Sequence, residues 1–102
     1  MSVTVEGVLV RDAVSATFGA DIAAVIVFLI DPGKGKPFEI RYRIGTTAES
    51  HINAENIARG MRKGAYALAT SAFIETRIDH GEAVFCMREP FSLRVNNKQL
   101  IP

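Results

Sequence analysis

Apolar and polar positions alternate with a period of two along most of the chain, and a helical period appears once. Val3 to Val10 sets Val3, Val5 and Leu9 on one side and Thr4, Glu6 and Val8 on the other, which predicts a half-buried strand. Gly7 inside it suggests a bend or a close backbone approach. Arg11-Asp12 ends that strand, Val14 to Phe18 is a weaker extended stretch, and Gly19-Ala20-Asp21 reads as a turn. Ile22 to Ile30 is β-branched and apolar on both faces, so it predicts a doubly buried strand. Its alternation is expected to aim Val25, Val27 and Leu29 at one core, leaving Ile26, Phe28 and Ile30 to be covered by a partner subunit or a ligand.

Asp31-Pro32-Gly33 is a strong turn signal, and Lys34-Gly35-Lys36-Pro37 extends it into a basic loop. Phe38 to Ile44 alternates most cleanly, with Phe38, Ile40, Tyr42 and Ile44 on one face and Glu39, Arg41 and Arg43 on the other. Gly45 ends it. Thr46 to Ile52 is polar and ambiguous. From Ala54 the pattern changes: Ile57 and Met61, with Ala54 and Ala58, form a stripe at helical spacing. Ser50 or Asn53 is expected to cap this helix, and Gly64 to stop it in a left-handed conformation. Ala65 to Ile78 reads as a strand bent near Ser71, Asp79-His80-Gly81-Glu82 as a hairpin turn, and Ala83 to Met87 with Phe91 to Val95 as the return strand, broken or edged at Pro90. Phe73 and Phe38 are expected in the core. Three strands, one helix and two more strands point to a mainly β, small closed barrel rather than a βαβ sheet.

The chain has 102 residues, 48% of them apolar, enough for one domain over residues 1–102 with one core. The longest apolar run, Ile22 to Ile30, suits a buried strand and is too short for a membrane helix. Met1-Ser2-Val3 opens without a signal-type segment, so a cytoplasmic protein with no membrane association is expected. A single cysteine, Cys86, excludes an internal disulfide and a cysteine-based zinc site within one chain.

Net charge is only +1, but between Gly33 and Arg43 four cations (Lys34, Lys36, Arg41, Arg43) face one acid (Glu39). That local +3 leaves −2 for the rest. Such a run is either a solvated face or a site for a polyanion. It is not a P-loop, because no Gly-Lys-Ser/Thr opens a helix there.

The order of elements is that of the OB-fold, a five-stranded Greek-key barrel used for oligonucleotides, with one short helix between strands 3 and 4. Val5-Glu6-Gly7-Val8-Leu9-Val10-Arg11-Asp12 resembles the first strand of the bacterial single-stranded DNA-binding protein family. Ala54-Glu55-Asn56-Ile57-Ala58-Arg59, closed by Lys63-Gly64, resembles that family's helix and stop. Asp79-His80-Gly81-Glu82 falls where the family has its long hairpin. The chain has no tryptophan, and Thr46 to Asn53 reads as an insertion. Ending at Pro102 without an acidic tail, it is closer to the primosomal replication protein N branch, or to phage- and plasmid-borne relatives.

The resemblance implies non-sequence-specific binding of single-stranded DNA or RNA, in replication, recombination or phage and plasmid DNA metabolism, with replication or recombination proteins as partners. Such binding needs a cationic groove and flat side chains. The candidate cations are Lys34, Lys36, Arg41, Arg43, Arg77 and Arg88, and strand parity offers Phe28 and Tyr66 as stackers. Ile26, Phe28 and Ile30 suggest a homodimer or homotetramer. The alternative is an OB-type module that binds another protein. Catalysis has little behind it: His51 and His80 are isolated, Cys86 lies in an apolar strand, and no cluster has metal-ligand spacing. No cofactor, metal or enzymatic activity is expected.

Overall fold

The computed structural model describes residues 2–101, with the side chains of Pro90 and Phe91 left aside. In chain order it contains β1 (Val3–Leu9), β2 (Val14–Phe18), β3 (Ala23–Asp31), β4 (Phe38–Gly45), α1 (Ala48–Arg59), β5 (Tyr66–Asp79), β6 (Glu82–Val95) and β7 (Lys98–Ile101). The protein is mainly β. Strands β1, β5, β6, β4 and β3 follow one another edge to edge, and β3 returns to β1, closing a five-stranded barrel. β4 and β6 run parallel and the other neighbours antiparallel. Among the described residues, no helix is long and apolar enough to cross a membrane.

Closure depends on β1 pairing twice. Val3 to Val8 pair with β5, while Val8 and Leu9 pair with Asp31 and Ile30 of β3. β2 then continues along β3, from Val14 opposite Val27 to Phe18 opposite Ala23. Between β1 and β2 the chain loops outward at Arg11-Asp12. It is held by the Val10 amide on the Leu29 carbonyl (3.1 Å) and the Ala13 amide on the Met61 carbonyl (2.8 Å). Gly7 sits where β1 presses closest on β3: a Cβ there would overlap Ile30 Cγ2 and lie 3.2 Å from the Asp31 carbonyl oxygen. The expected close backbone approach is therefore real, and it is the approach that closes the barrel.

The interior is filled by Leu9, Ile26, Phe28, Ile30, Ile40, Tyr42, Met61, Met87 and Leu93, all essentially inaccessible. This reverses the expected facing of β3. Ile26, Phe28 and Ile30 point into the barrel, and the opposite face of Ala23, Val25 and Val27 is covered by Ala16 and Phe18 of β2. The residues expected to need a partner subunit are thus buried within the chain, and the oligomer expectation loses the observation it stood on. With both faces apolar, alternation along β3 fixes which residues share a side but not which side is inside.

Thr47 caps α1, its Oγ1 accepting from the Ser50 amide at 3.0 Å, and Ala54 and Ala58 are buried. The helix packs against β2, β3 and β4. It starts before the expected point, so residues 48–53 form its first turns. Their exposed positions carry no apolar stripe to announce it. It also ends sooner, at Gly60, where the Gly60 amide reaches back to Ile57 (3.0 Å). Gly64 is left-handed (φ 88°) but serves the later turn that leads into β5. The hairpin turn is as expected: Asp79 pairs with Glu82 across His80 (φ 50°) and Gly81 (φ 79°), a tight two-residue loop with both φ positive.

β5 is bent near Ser71, as expected. Ser71 is fully buried, its hydroxyl donates to the Phe73 carbonyl (2.9 Å), and the register with β6 shifts between Thr70 and Ser71. The bend changes the phase of alternation, so Ile74 turns toward the core and Phe73 is 45% exposed rather than buried as expected. From β4, Tyr42 lies beneath this bend. Its hydroxyl is 2.8 Å from the carbonyls of both Thr70 and Ser92 and donates its one proton to either. Burial favours the neutral phenol and pushes its pKa well above the usual tyrosine range.

Two substitutions test this frame by urea unfolding. Tyr42→Phe leaves the two carbonyls without their donor and is expected to cost about 1–3 kcal/mol. Gly7→Val forces β1 away from Ile30 and is expected to cost at least about 1–3 kcal/mol. Midpoints within error of wild type would show that neither contact constrains closure.

Candidate functional site

The outer face of the barrel carries the charged side chains. On β4, Glu39, Arg41 and Arg43 point outward because Ile40 and Tyr42 between them fill the core. Cys86 of β6 pairs with Arg41 of β4 on one side and with Glu75 of β5 on the other. Arg77 and Arg88 follow on the same two strands. The result is a cleft of about 250 Å³ lined by Arg41, Arg43, Arg77 and Arg88, with Phe18, Asp21 and Cys86 among its walls. Four of the six cations read from the sequence therefore converge on one place, from three neighbouring strands.

Each of these arginines has an acidic neighbour. Arg41 is the most enclosed, with its side chain 16% exposed. Its Nε lies 2.7 Å from Glu39 Oε2, its Nη2 lies 2.6 Å from Asp79 Oδ2, and its Cζ sits 4.4 Å over the Phe18 ring. Arg43 pairs with Asp21, and Arg88 (3.1 Å) and Arg77 (3.4 Å) share Glu75. A guanidinium carries five N–H donors, and these contacts engage two on Arg41 and one on each of the others. Donors remain for a further anion.

Burial works against the Arg41 charge, but the hydrogen bonds that Arg41 donates to Asp79 and Glu39 outweigh it and raise the Arg41 pKa. The reciprocal bond from Arg41 holds the Asp79 carboxyl below its ordinary 3.8.

A second, wider cleft of about 700 Å³ lies between the β3–β4 loop and the hairpin tip, with Lys36, Glu39, Asp79, His80 and Glu82 among its walls. Arg41 lines both clefts. Lys36 is 3.6 Å from Glu82, with both side chains largely exposed, so this pair is weak. Lys34 sits on the exposed loop without an ion pair among the described residues.

The proposed stackers fare differently from the cations. Phe28 is fully buried in the barrel and offers no face to a base. Tyr66 is 46% exposed, but it lies at the end of β5 remote from Arg77, opposite Val8 of β1, and lines neither cleft. A hydrogen bond to Glu6 raises its phenol pKa. Two other aromatics, one of them expected in the core, are better placed. Phe18 forms a wall of the smaller cleft, and Phe73 pairs with Arg88 across the hairpin.

The bend at Ser71 hides Phe73 from any alternation rule. Phe18 ends a strand too weak to carry a face assignment. The Asp79–Glu82 turn, extended backwards along the hairpin, places Glu75 beside Cys86 and is the signal that brings Glu75 to the arginines. Among the described residues no group of three or more His, Cys, Asp or Glu side chains is placed to hold a metal ion.

No protein-family model matches the chain, and no curated protein matches it.

The sign of the Asp79 shift gives a testable consequence. A carboxylate with a depressed pKa in the folded state stabilises the fold above its ordinary pKa of 3.8, and that contribution is lost as pH falls through the lower folded value. Asp79→Asn is therefore expected to flatten the fall in Tm on the acid side of pH 4 while leaving the profile above pH 6 parallel to wild type. Parallel profiles down to pH 2 would show that Asp79 does not draw on Arg41.

Proposed function

We propose that this chain is an OB-fold domain that binds single-stranded nucleic acid without strong sequence preference, of the type found in bacterial single-stranded DNA-binding proteins and primosomal replication protein N. The observation that carries the reading is the cleft of Arg41, Arg43, Arg77 and Arg88 on the outer barrel face, with Phe18 in its wall and Phe73 opposite Arg88.

The topology supports it. Taking β1, β3, β4, β5 and β6 as the five barrel strands, the edge order is first, second, third, fifth, fourth, with α1 between third and fourth. OB-folds bind oligonucleotides on the face of their second and third strands, flanked by the first and last inter-strand connections. Here that is the β3–β4 face, bounded by residues 10–22 and by the Asp79–Glu82 turn. Guanidiniums suit this work, because they fork onto phosphate oxygens and stack flat on bases. Binding would be non-enzymatic and salt-dependent.

A competing reading follows from the same carboxylates. A face whose cations are already paired suits an OB-type module that binds another protein, with nucleic acid irrelevant.

Fluorescence anisotropy of labelled oligo-dT against duplex of equal length, at low and moderate salt, separates the two. The expected result is preference for the single strand, weakening with salt. A log–log slope of about −2 to −4, divided by about 0.7, reports how many phosphates the named cations engage. Arg41→Glu with Arg43→Glu is expected to abolish binding. Phe73→Ala is expected to weaken it by about 1–3 kcal/mol, the worth of one stacked base. Absence of binding at low salt, or equal binding of duplex, would reject the nucleic-acid reading and favour the protein partner.

A further inference from the structure

The acidic side chains at the hairpin tip lie against the same cations that a phosphate chain would use. Asp79 occupies Arg41, and Glu82, three residues on across the tight turn, reaches Lys36 of the β3–β4 loop. Arg41 stands in the wall common to both clefts, so Asp79 sits where they adjoin.

We infer that Asp79 and Glu82 are specificity-determining residues: built-in phosphate mimics that hold the hairpin tip against Arg41 and Lys36 and admit linked phosphates in preference to single ones. The inference rests on the single-strand reading above. Its logic is that of a two-point attachment. The two carboxylates are joined through His80-Gly81, so when a lone anion takes one cation, the other contact keeps the displaced carboxylate close and returns it. A strand with successive phosphates displaces both together and meets no such return. Each contact alone is modest, because Asp79 is 41% and Glu82 70% exposed. The selectivity comes from their linkage, not from the strength of either. The design also lets a chain of net charge +1 carry a cationic face without drawing in every small anion.

The test compares wild type with D79N/E82Q and with E49Q/E55Q, which removes the same charge from exposed acids of α1 that make no ion pair among the described residues. Labelled oligo-dT is the probe, with inorganic phosphate and unlabelled oligo-dT as competitors at equal total phosphate. Wild type is expected to release the probe to unlabelled oligo-dT and hardly at all to inorganic phosphate. D79N/E82Q is expected to bind oligo-dT about three- to tenfold tighter, the scale of losing two competing ion pairs, and to become measurably sensitive to inorganic phosphate. E49Q/E55Q is expected to change affinity less than about twofold, since neither acid lines either cleft or pairs with a cation of that face among the described residues.

Equal responses of the two double variants, or weaker binding by D79N/E82Q, would overturn the inference while leaving the binding reading intact. No oligo-dT binding by wild type or by D79N/E82Q at low salt would overturn both. Binding by D79N/E82Q alone would also overturn both, because the wild-type carboxylates would then exclude linked phosphates along with single ones. E82Q alone, altered only at the surface, is expected to give about a twofold gain and keeps the test open if the double variant folds poorly.

Discussion

The barrel exists because one strand serves two neighbours. β1 gives most of its length to β5 and its last residues to β3, and this handover closes the sheet. A side chain at position 7 would collide with Ile30 at the crossing, so glycine there sets how near the two strands come. Closure in turn creates an inside. Once β3 is drawn onto β1, Ile26, Phe28 and Ile30 have a cavity to fill, and the smaller Ala23, Val25 and Val27 are left outside for β2 to cover.

The wall opposite is fixed by a polar contact. Tyr42 reaches from β4 across the core to the carbonyls of Thr70 and Ser92, at the place where β5 shifts register against β6. A bulged ladder leaves backbone oxygens without strand partners, and a buried oxygen without a donor is costly. The phenol answers that need while its ring packs with the apolar residues around it. The bend it supports also brings Phe73 out to the surface beside Arg88. The core and the candidate site are therefore coupled through Ser71 and Tyr42, although neither residue lines the cleft.

On the outer face the decisive arrangement is Arg41 between Glu39, Asp79 and the Phe18 ring. A guanidinium in so enclosed a place stays charged because the two carboxylates offset its loss of water. The cost is that the face is less cationic than its arginines suggest. An anion reaching that face would meet carboxylates already placed on its cations.

The sequence by itself determined the five barrel strands, the presence of a helix and most of the turns, but did not mark β7. The alternation of Phe38 to Ile44 set Arg41 and Arg43 outward and Ile40 and Tyr42 inward, because only one of its faces is apolar. His80-Gly81 marked a tight hairpin because its turn needs two positive φ angles. The cations of the site were legible as a list, since charge is local. What only the tertiary structure decided was facing and partnership. β3 is apolar on both sides, so no local pattern could say that Phe28 goes inside. α1 begins with residues whose exposed faces carry no stripe, so no local pattern marked its first turns. The bend at Ser71 shifts the phase of β5, and a period-two reading carried past it misplaces Phe73. The ion pairs of Arg41, Arg43, Arg77 and Arg88 join residues far apart in the chain, fixed by register across three strands. A sequence states which charges exist, whereas closure of the barrel sets which of them meet.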